Sequence, residues 1–347
     1  MAKKVKIGIV GTGGIARHHA NLLKKIGDNE IVAGCDIKPD VLKDYAETYG
    51  VAKTFEDYND LVKLKELDAV SVCTPNGVHM PPAVAALKAG KHVICEKPLA
   101  MNASECRKMV KAAKEAGKLL VIGFQQRFSP NSQTIKRAID EGILGKILYV
   151  RAKALRRRGI PSWGVFGQKE LNGGGPLIDI GVHTLECCHY LIGKPKPIAA
   201  SGQCYTYIGN KKPQAICGWG EWDYKTYNVE DLAVGFIRFE NGATLFLESS
   251  FAAHIEKDSG EITIMGTKGG ATVDPPQIYT DTAGAMYNMS PQFCGKQDCF
   301  EYKLSHFLDC VRTGKKSQAP GEDGLMVQQM LDGIYKSSEL GKEIRIR

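Results

Sequence analysis

The 347-residue sequence lacks several features that would assign it to a class at once. No apolar run approaches the roughly 18 residues that a membrane span needs, so no membrane segment is expected. No C-x-x-C pair occurs among the eleven cysteines, and their number is odd. Cys35, Cys73 and Cys95 fall in or beside apolar strand-like runs, where a thiol behaves as a small hydrophobe. A reducing compartment fits this usage better than a disulfide framework. His18-His19 and Cys187-Cys188-His189 are runs of neighbours without zinc spacing, and neighbours on a helix diverge by about 100°. No metal is expected. There is no internal repeat, no low-complexity tract and no recognised nucleic-acid module. The opening segment MAKKVKIGIVGTGG carries basic residues but runs through one short apolar strand into a glycine loop, unlike a signal peptide. A cytoplasmic protein is the expectation.

What is present is ordinary in bulk. At about 150 residues per domain the length predicts about two domains. Apolar residues make up 43% and charged residues 24%, and the mean hydropathy is −0.21. Lysine and arginine number 46 against 38 acids, a net charge of +8. That charge is spread along the chain, apart from Arg156-Arg157-Arg158. It suits anionic small molecules as well as nucleic acid; without a nucleic-acid module, a nucleic-acid partner is not expected.

Short apolar runs alternate with amphipathic ones over the first 122 residues. Val5–Val10, Glu30–Cys35, Asp68–Val72, His92–Ile94 and Leu119–Ile122 read as strands. Ile15–Ile26, Pro39–Tyr49, Pro81–Ala89 and Ala103–Ala116 read as helices. Continuous apolar strands between helices predict an α/β fold with a parallel sheet covered on both faces. After Gly123 the pattern changes. Helix is expected at Pro130–Glu141, strand at Lys146–Leu155, and a helix from Pro176 after a glycine-rich loop. Alternating runs follow at Ile198–Ile208, Asp231–Phe239, Ala243–Phe251, Glu261–Met265 and Ala271–Val273, with Asn241-Gly242 a hairpin signal. These predict an antiparallel sheet with one face exposed or used for assembly. Helices at Phe300–Arg312 and Glu322–Leu340 close the chain. The boundary is therefore set between domains 1–123 and 124–347.

Gly11-Thr12-Gly13-Gly14-Ile15-Ala16 follows the first strand and opens a helix. This G-x-G-x-x-A pattern allows a tight turn at Gly11, close approach of a pyrophosphate at Gly13 and close helix packing at Ala16. Asp36 ends the second strand, 25 residues after Gly11, and its carboxylate suits ribose hydroxyls. It would repel a 2′-phosphate, so NAD is favoured over NADP; Lys38 could partly offset that repulsion. A glycine turn without a ligand is the competing reading.

Three further segments carry candidate chemistry. Thr74-Pro75-Asn76 and His79 follow a buried strand, at the carboxyl edge where such sheets bind ligands. Cys95-Glu96-Lys97-Pro98 ends another strand. Lysine is rarely buried unpaired, so Lys97 is either a functional group or a solvated loop lysine paired with Glu96. In Gly173-Gly174-Gly175-Pro176-Leu177-Ile178-Asp179-Ile180-Gly181-Val182-His183, Pro176 suits a first helical position. Asp179 and His183 are four apart on one helix face. They form either a carboxylate that orients an imidazole or a plain surface pair.

In combination these segments resemble one family, the Gfo/Idh/MocA oxidoreductases, through GTGGIA at 11–16, TPNGVH at 74–79, EKPLA at 96–100 and GGGPLIDIGVH at 173–183. The likeness spans nearly the whole chain, in order. It implies an N-terminal Rossmann domain and a C-terminal α+β domain with a large, mainly antiparallel open sheet, often used for oligomer contacts. It implies NAD held by Gly11, Thr12, Gly13, Gly14, Ile15, Asp36, Ile37, Thr74, Pro75, Asn76, His79, Glu96, Lys97 and Gln125. It implies Lys97, Asp179 and His183 as catalytic residues, with Arg127, Arg158 and Trp163 joining them at the substrate. His183 would take the hydroxyl proton, Asp179 would hold it and the substrate, and Lys97 would favour the alkoxide. Arg156-Arg157-Arg158-Gly159-Ile160-Pro161-Ser162-Trp163-Gly164 looks like the branch with levoglucosan and glycoside 3-dehydrogenases, although a solvated loop is an alternative.

The expected activity is NAD-dependent oxidation of a ring secondary alcohol of a sugar, glycoside or cyclitol to a ketone, with position 3 of a pyranose favoured. The alternatives are a glycosidase that retains NAD and passes through a transient 3-keto sugar, or a non-catalytic NAD-binding regulator. An exposed antiparallel sheet with alternating apolar residues predicts a homodimer or homotetramer.

Overall fold

Apolar residues in unbroken runs can be buried on both faces only inside a layered sheet, and the first third of the chain is built that way. The computed structural model describes residues 4–215 and 217–346. The first three residues of the opening segment lie outside the described residues. The chain divides by contacts into two units, Met1–Gln125 with Asp298–Leu325, and Gln126–Gln297 with Met326–Arg347.

The first unit begins with β1 (Val5–Val10), α1 (Gly14–Ile26), β2 (Asn29–Cys35), α2 (Pro39–Tyr49), β3 (Lys53–Phe55), α3 (Tyr58–Leu61), β4 (Ala69–Val72), α4 (Met80–Lys88), β5 (His92–Cys95), α5 (Ala103–Ala116) and β6 (Leu120–Ile122). The six strands run parallel in the order β3-β2-β1-β4-β5-β6. The strand order reverses between β1 and β4, which opens a crevice at their carboxyl ends. Ile7, Ile9, Val70, Val72, Val93 and Ile94 fill the sheet and are buried. Each such side chain contributes about 1.5–3 kcal/mol on burial. Local signals set the helix ends. Pro39 opens α2 and Gly50 closes it in the left-handed region, while the Asn102 side chain caps α5 by accepting from the Glu105 N–H.

The second unit contains α6 (Pro130–Asp140), β7 (Ile147–Leu155), α7 (Lys169–Asn172), α8 (Val182–Leu191), β8 (Pro197–Tyr205), β9 (Leu232–Phe239), β10 (Thr244–Ser250), β11 (Ser259–Gly266), β12 (Gly269–Thr272), β13 (Gln277–Thr282) and β14 (Ala285–Met289). Then α9 (Cys299–Thr313) belongs to the first unit, and α10 (Gly321–Leu340) and β15 (Ile344–Arg345) end the chain. Nine strands pair in the order β14-β13-β12-β11-β7-β10-β9-β8-β15. Only β7 and β10 run parallel; the other neighbours are antiparallel. Val150, Ala152, Ala233, Ile237, Leu245 and Leu247 point to the buried face. Tyr149, Phe236 and Phe246 alternate with them on a half-exposed face.

The sequence placed residues after 123 in one C-terminal domain. In the structure Ile122 donates to the Ala319 carbonyl at 3.0 Å and Val121 bridges to Pro320. The segment carrying α9 thus packs with the parallel sheet, through pairing that no local pattern announces. Among the described residues no helix is long and apolar enough to cross a membrane.

Candidate active site

The turn between β1 and α1 is shaped by what surrounds it. Gly11 has φ +82°, and a Cβ there would lie 2.8 Å from the Cys73 backbone. Its N–H donates to the Cys35 carbonyl at 2.8 Å. Thr12 is buried, and both its N–H and its hydroxyl donate to Asp36 Oδ2, at 2.8 and 3.1 Å. The Lys38 N–H donates to Asp36 Oδ1 at 3.0 Å. Asp36 is thereby fixed behind the turn as an acceptor. Gly13 and Gly14 face open space, no side chain caps α1, and its first turn holds no acid. Its first N–H groups and the positive dipole end are directed at whatever anion sits there. Ile37 is 83% exposed beside Asp36 and offers an apolar surface. The buried Thr74 hydroxyl and the Gln125 side-chain oxygen have no hydrogen-bond partner among the described residues. Polar atoms left so at the carboxyl edge of the sheet fit a bound dinucleotide.

Two loops of this edge are joined by His79. Its Nδ1 lies 2.7 Å from the Pro98 carbonyl and its Nε2 lies 2.9 Å from the Thr74 carbonyl. Burial pushes this imidazole below its ordinary pKa, against both carbonyls, so it is neutral and donates to one of them at a time. His79 therefore ties loops together and is itself buried. Lys97 is half-buried at the end of β5, and the Lys97–Pro98 peptide is cis. Glu96, expected at the cofactor, turns the other way. Its carboxylate is buried among His19 and Lys303.

In the second unit the expected helix from Pro176 starts differently. Leu177–Gly181 forms a π turn, and α8 follows from Val182. The reason lies in partners far along the chain. Glu230 accepts from the N–H of Gly175 at 2.9 Å and of Leu177 at 3.1 Å, and Ser249 Oγ donates to the Pro176 carbonyl at 2.8 Å. These bonds compete with the regular ladder. Wide turns of this kind are frequent at functional sites. The turn carries Asp179, which is buried, and delivers His183 to the first turn of α8.

His183 lines an open groove of about 390 Å³ with Lys153, Arg156, Ile180, Thr184 and Asp258. Burial lowers the Arg156 pKa, and the nearby carboxylates of Asp179 and Asp258 oppose that shift. The Arg156 guanidinium lies over the Trp219 ring at 4.4 Å, and Trp163 stacks on Trp219 at 5.6 Å and 8°. Trp163 is 57% exposed, so the paired indoles form an aromatic shelf.

Two expected substrate residues are corrected. The Arg127 side chain is buried, and its guanidinium meets the Glu186 carboxylate at 2.9 Å. It anchors α8 from within. Arg158 Nη1 donates to the Arg157 and Ala253 carbonyls at 2.7 and 2.9 Å, and the side chain lines a different hollow with Lys211, Tyr207 and His254. Arg156, two positions earlier, is the arginine at the groove. The sequence also gave no notice of Trp219 or Asp258. Among the described residues no group of three or more His, Cys, Asp or Glu is placed to hold a metal ion.

Comparison with known proteins agrees with the fold and the family resemblance. The family description "Oxidoreductase family, NAD-binding Rossmann fold" matches residues 5–124, and "GFO/IDH/MocA C-terminal domain" matches residues 132–272. A D-glucoside 3-dehydrogenase of Escherichia coli strain K12 is 37% identical over 345 residues, 99% of this chain and 97% of that protein. A myo-inositol 2-dehydrogenase of Thermotoga maritima is 28% identical over 349 residues, 99% of this chain and 98% of that protein. The solved structure of a levoglucosan dehydrogenase in complex with NADH shares the fold, with a TM-score of 0.86 at 22% identity and 99% coverage of each chain.

Proposed function

The chain belongs to the Gfo/Idh/MocA oxidoreductase family, and from that premise we propose that it oxidises a ring secondary alcohol of a sugar, glycoside or cyclitol to a ketone with NAD. The 3-hydroxyl of a pyranoside is the favoured site, by the 37% identity to a glucoside 3-dehydrogenase. The observation that carries the reading is the β1–α1 turn, open over Gly13 and Gly14 and closed behind by Asp36. Gly13, Gly14 and Ile15 would hold the pyrophosphate over the turn that Gly11 and Thr12 shape from behind, and Asp36 and Ile37 would hold the adenosine half. Thr74, Pro75, Asn76 and Gln125 line the nicotinamide side. The bound nicotinamide supplies the hydride acceptor.

The chain's own residues then handle the proton and the charge. His183 accepts the hydroxyl proton as a neutral imidazole, and Asp179 orients it. The Lys97 ammonium favours the developing alkoxide. Arg156 sets a positive charge near the Asp179 carboxylate, and the Trp163–Trp219 shelf takes the C–H face of a sugar ring. The same face of the nine-stranded sheet that holds Tyr149, Phe236 and Phe246 also carries the pairs Arg151–Glu261 and Lys153–Glu261. Leu148 and Met265 are exposed at its margin. Such a mixed, self-complementary face supports a homodimer or homotetramer. The mostly buried cysteines support a reducing, cytoplasmic setting.

NADH absorbance with NAD supplied, across glucosides, anhydrosugars, inositols and sugar phosphates, tests this reading. NADH formed with one of these classes supports it and narrows the substrate. No NADH from any class, with NAD binding verified by a thermal shift, overturns it.

A further inference from the structure

One buried cluster of charged groups takes no part in the chemistry described above. Four elements of the first unit deliver it: His19 comes from α1, Ser71 from β4, Glu96 from the end of β5 and Lys303 from α9. Lys303 donates to Glu96 Oε1 at 2.5 Å. His19 Nε2 lies 2.9 Å from the same oxygen, and His19 Nδ1 lies 3.0 Å from Ser71 Oγ. Lys303 and His19 are both 0% exposed. The carboxylate fills the space over Gly123, where a Cβ would lie 2.7 Å from Oε1. The Lys97 N–H points back to Glu96 Oε2 at 3.4 Å.

A buried ion pair of this kind is weak support for stability, because desolvation offsets much of the attraction. What it does supply is geometric constraint: a carboxylate held by groups from α1 and α9 has one place to be. We propose that Lys303 and His19 are positioning residues for Lys97. Through the Glu96 carboxylate they hold the turn at the end of β5, so the Lys97 side chain leaves that turn in a fixed direction. The inference rests on the reading of Lys97 as the group that meets the reacting hydroxyl.

The surroundings predict a particular signature. His18 from α1, Cys73 just after β4, Cys95 from β5, Cys299 from α9 and His79 and Lys97 from the edge loops are the other titratable groups around the cluster. The Phe300 ring lies 4.9 Å from the Lys303 ammonium. Burial, aided by Lys303, lowers the His19 pKa and keeps that ring neutral. Burial alone would raise Glu96, but the Lys303 charge and the His19 bond outweigh it and hold the carboxyl well below its ordinary range. Lys303 thus pulls the Glu96 carboxyl down and adds to the burial that lowers His19, and without it both groups shift upward as a coupled pair.

The test compares Lys303→Met, the double variant Glu96→Gln/Lys303→Met and Lys97→Ala, each by kcat against pH, NADH affinity by fluorescence, and Tm. Lys303→Met should lose about tenfold or more in kcat, the scale of a small misplacement of a catalytic group, and should gain an ionisation in its kcat profile that the wild type lacks. The double variant removes both buried charges, which guards against failure to fold. It should lack the added ionisation, keeping the wild-type profile, with a kcat still below wild type. Either variant with a lower Tm but wild-type kcat and an unchanged profile makes the cluster merely structural and overturns the proposal. Wild-type turnover in Lys97→Ala overturns instead the reading of Lys97 on which the proposal rests.

Discussion

Replacing Gly175 by alanine should disable the second unit while leaving the first intact. An ideal Cβ on Gly175 falls 2.0 Å from the Glu230 carbonyl oxygen and 3.0 Å from its carbon. Backbone cannot swing aside as a side-chain tip can, so the glycine loop itself must move. Overpacking of this kind costs about 1–3 kcal/mol. The movement also breaks the bonds from the N–H of Gly175 and Leu177 to the buried Glu230 carboxylate, worth about 1.5–3 kcal/mol each if charge-assisted. The sum is about 4–9 kcal/mol, and at about 2–4 °C per kcal/mol the fall in Tm is on the order of 10 °C or more. Gly174→Ala is the control. Its Cβ would fall 2.1 Å from the Tyr335 hydroxyl, the end of a side chain, and the cost is close to the single Tyr335–Glu230 bond, about 1–3 kcal/mol. Calorimetry, NADH formation and NADH fluorescence titration read the two variants. Gly175→Ala should lose turnover and its second thermal transition yet bind NADH as wild type. A Gly175→Ala protein with unchanged Tm and turnover would refute the claim that Glu230 holds the π turn in place.

Other consequences follow from the same geometry. His183→Ala should reduce kcat by about 10²–10⁴-fold, the usual contribution of a general base, with NADH affinity unchanged; steady-state kinetics and fluorescence check this. Asp36→Ala removes the acceptor of two Thr12 bonds, and the ratio of kcat/KM for NAD over NADP should fall about 10–100-fold. Trp219→Ala leaves Arg156 and Trp163 without their shared ring, and should raise KM for a pyranoside more than it lowers kcat. On the open sheet face, Thr263 and Arg151 pull the Glu261 carboxyl down to about 2. A carboxyl lowered in the folded state stabilises above its unfolded value near about 4.5, and that contribution is lost as the pH falls toward 2. Exposure to solvent keeps the effect small, so Glu261→Gln should show a slightly shallower decline of Tm over that range.

Much of the fold was legible because it depends on local pattern. Pro39–Tyr49 and Ala103–Ala116 were read to the residue, since a proline or capping signal begins each and a glycine ends it. The parallel strands were plain from their apolar runs. The strands β13 and β14 were not singled out: they are polar or mixed, β14 is exposed along its whole length, and no buried face imposes a period of two. The strand β3 and helix α3 span only three and four residues. The site was legible in its motifs and not in its partners. Arg156 and Arg158 are equivalent in the sequence; only their hydrogen bonds, to Gly159 and to Ala253, send one to the groove and the other away. Glu96 looked like a cofactor contact because Lys303, which turns it inward, lies 207 residues away. The π turn depends likewise on Glu230, 55 residues from Gly175.

The most direct test of the account is to supply the turned-over glycoside or cyclitol with deuterium on the ring carbinol carbon and to weigh the NADH formed. Hydride transfer from that carbon predicts NADH carrying the label, one per ketone produced. Unlabelled NADH, or glycoside cleavage with no net NADH, would contradict it.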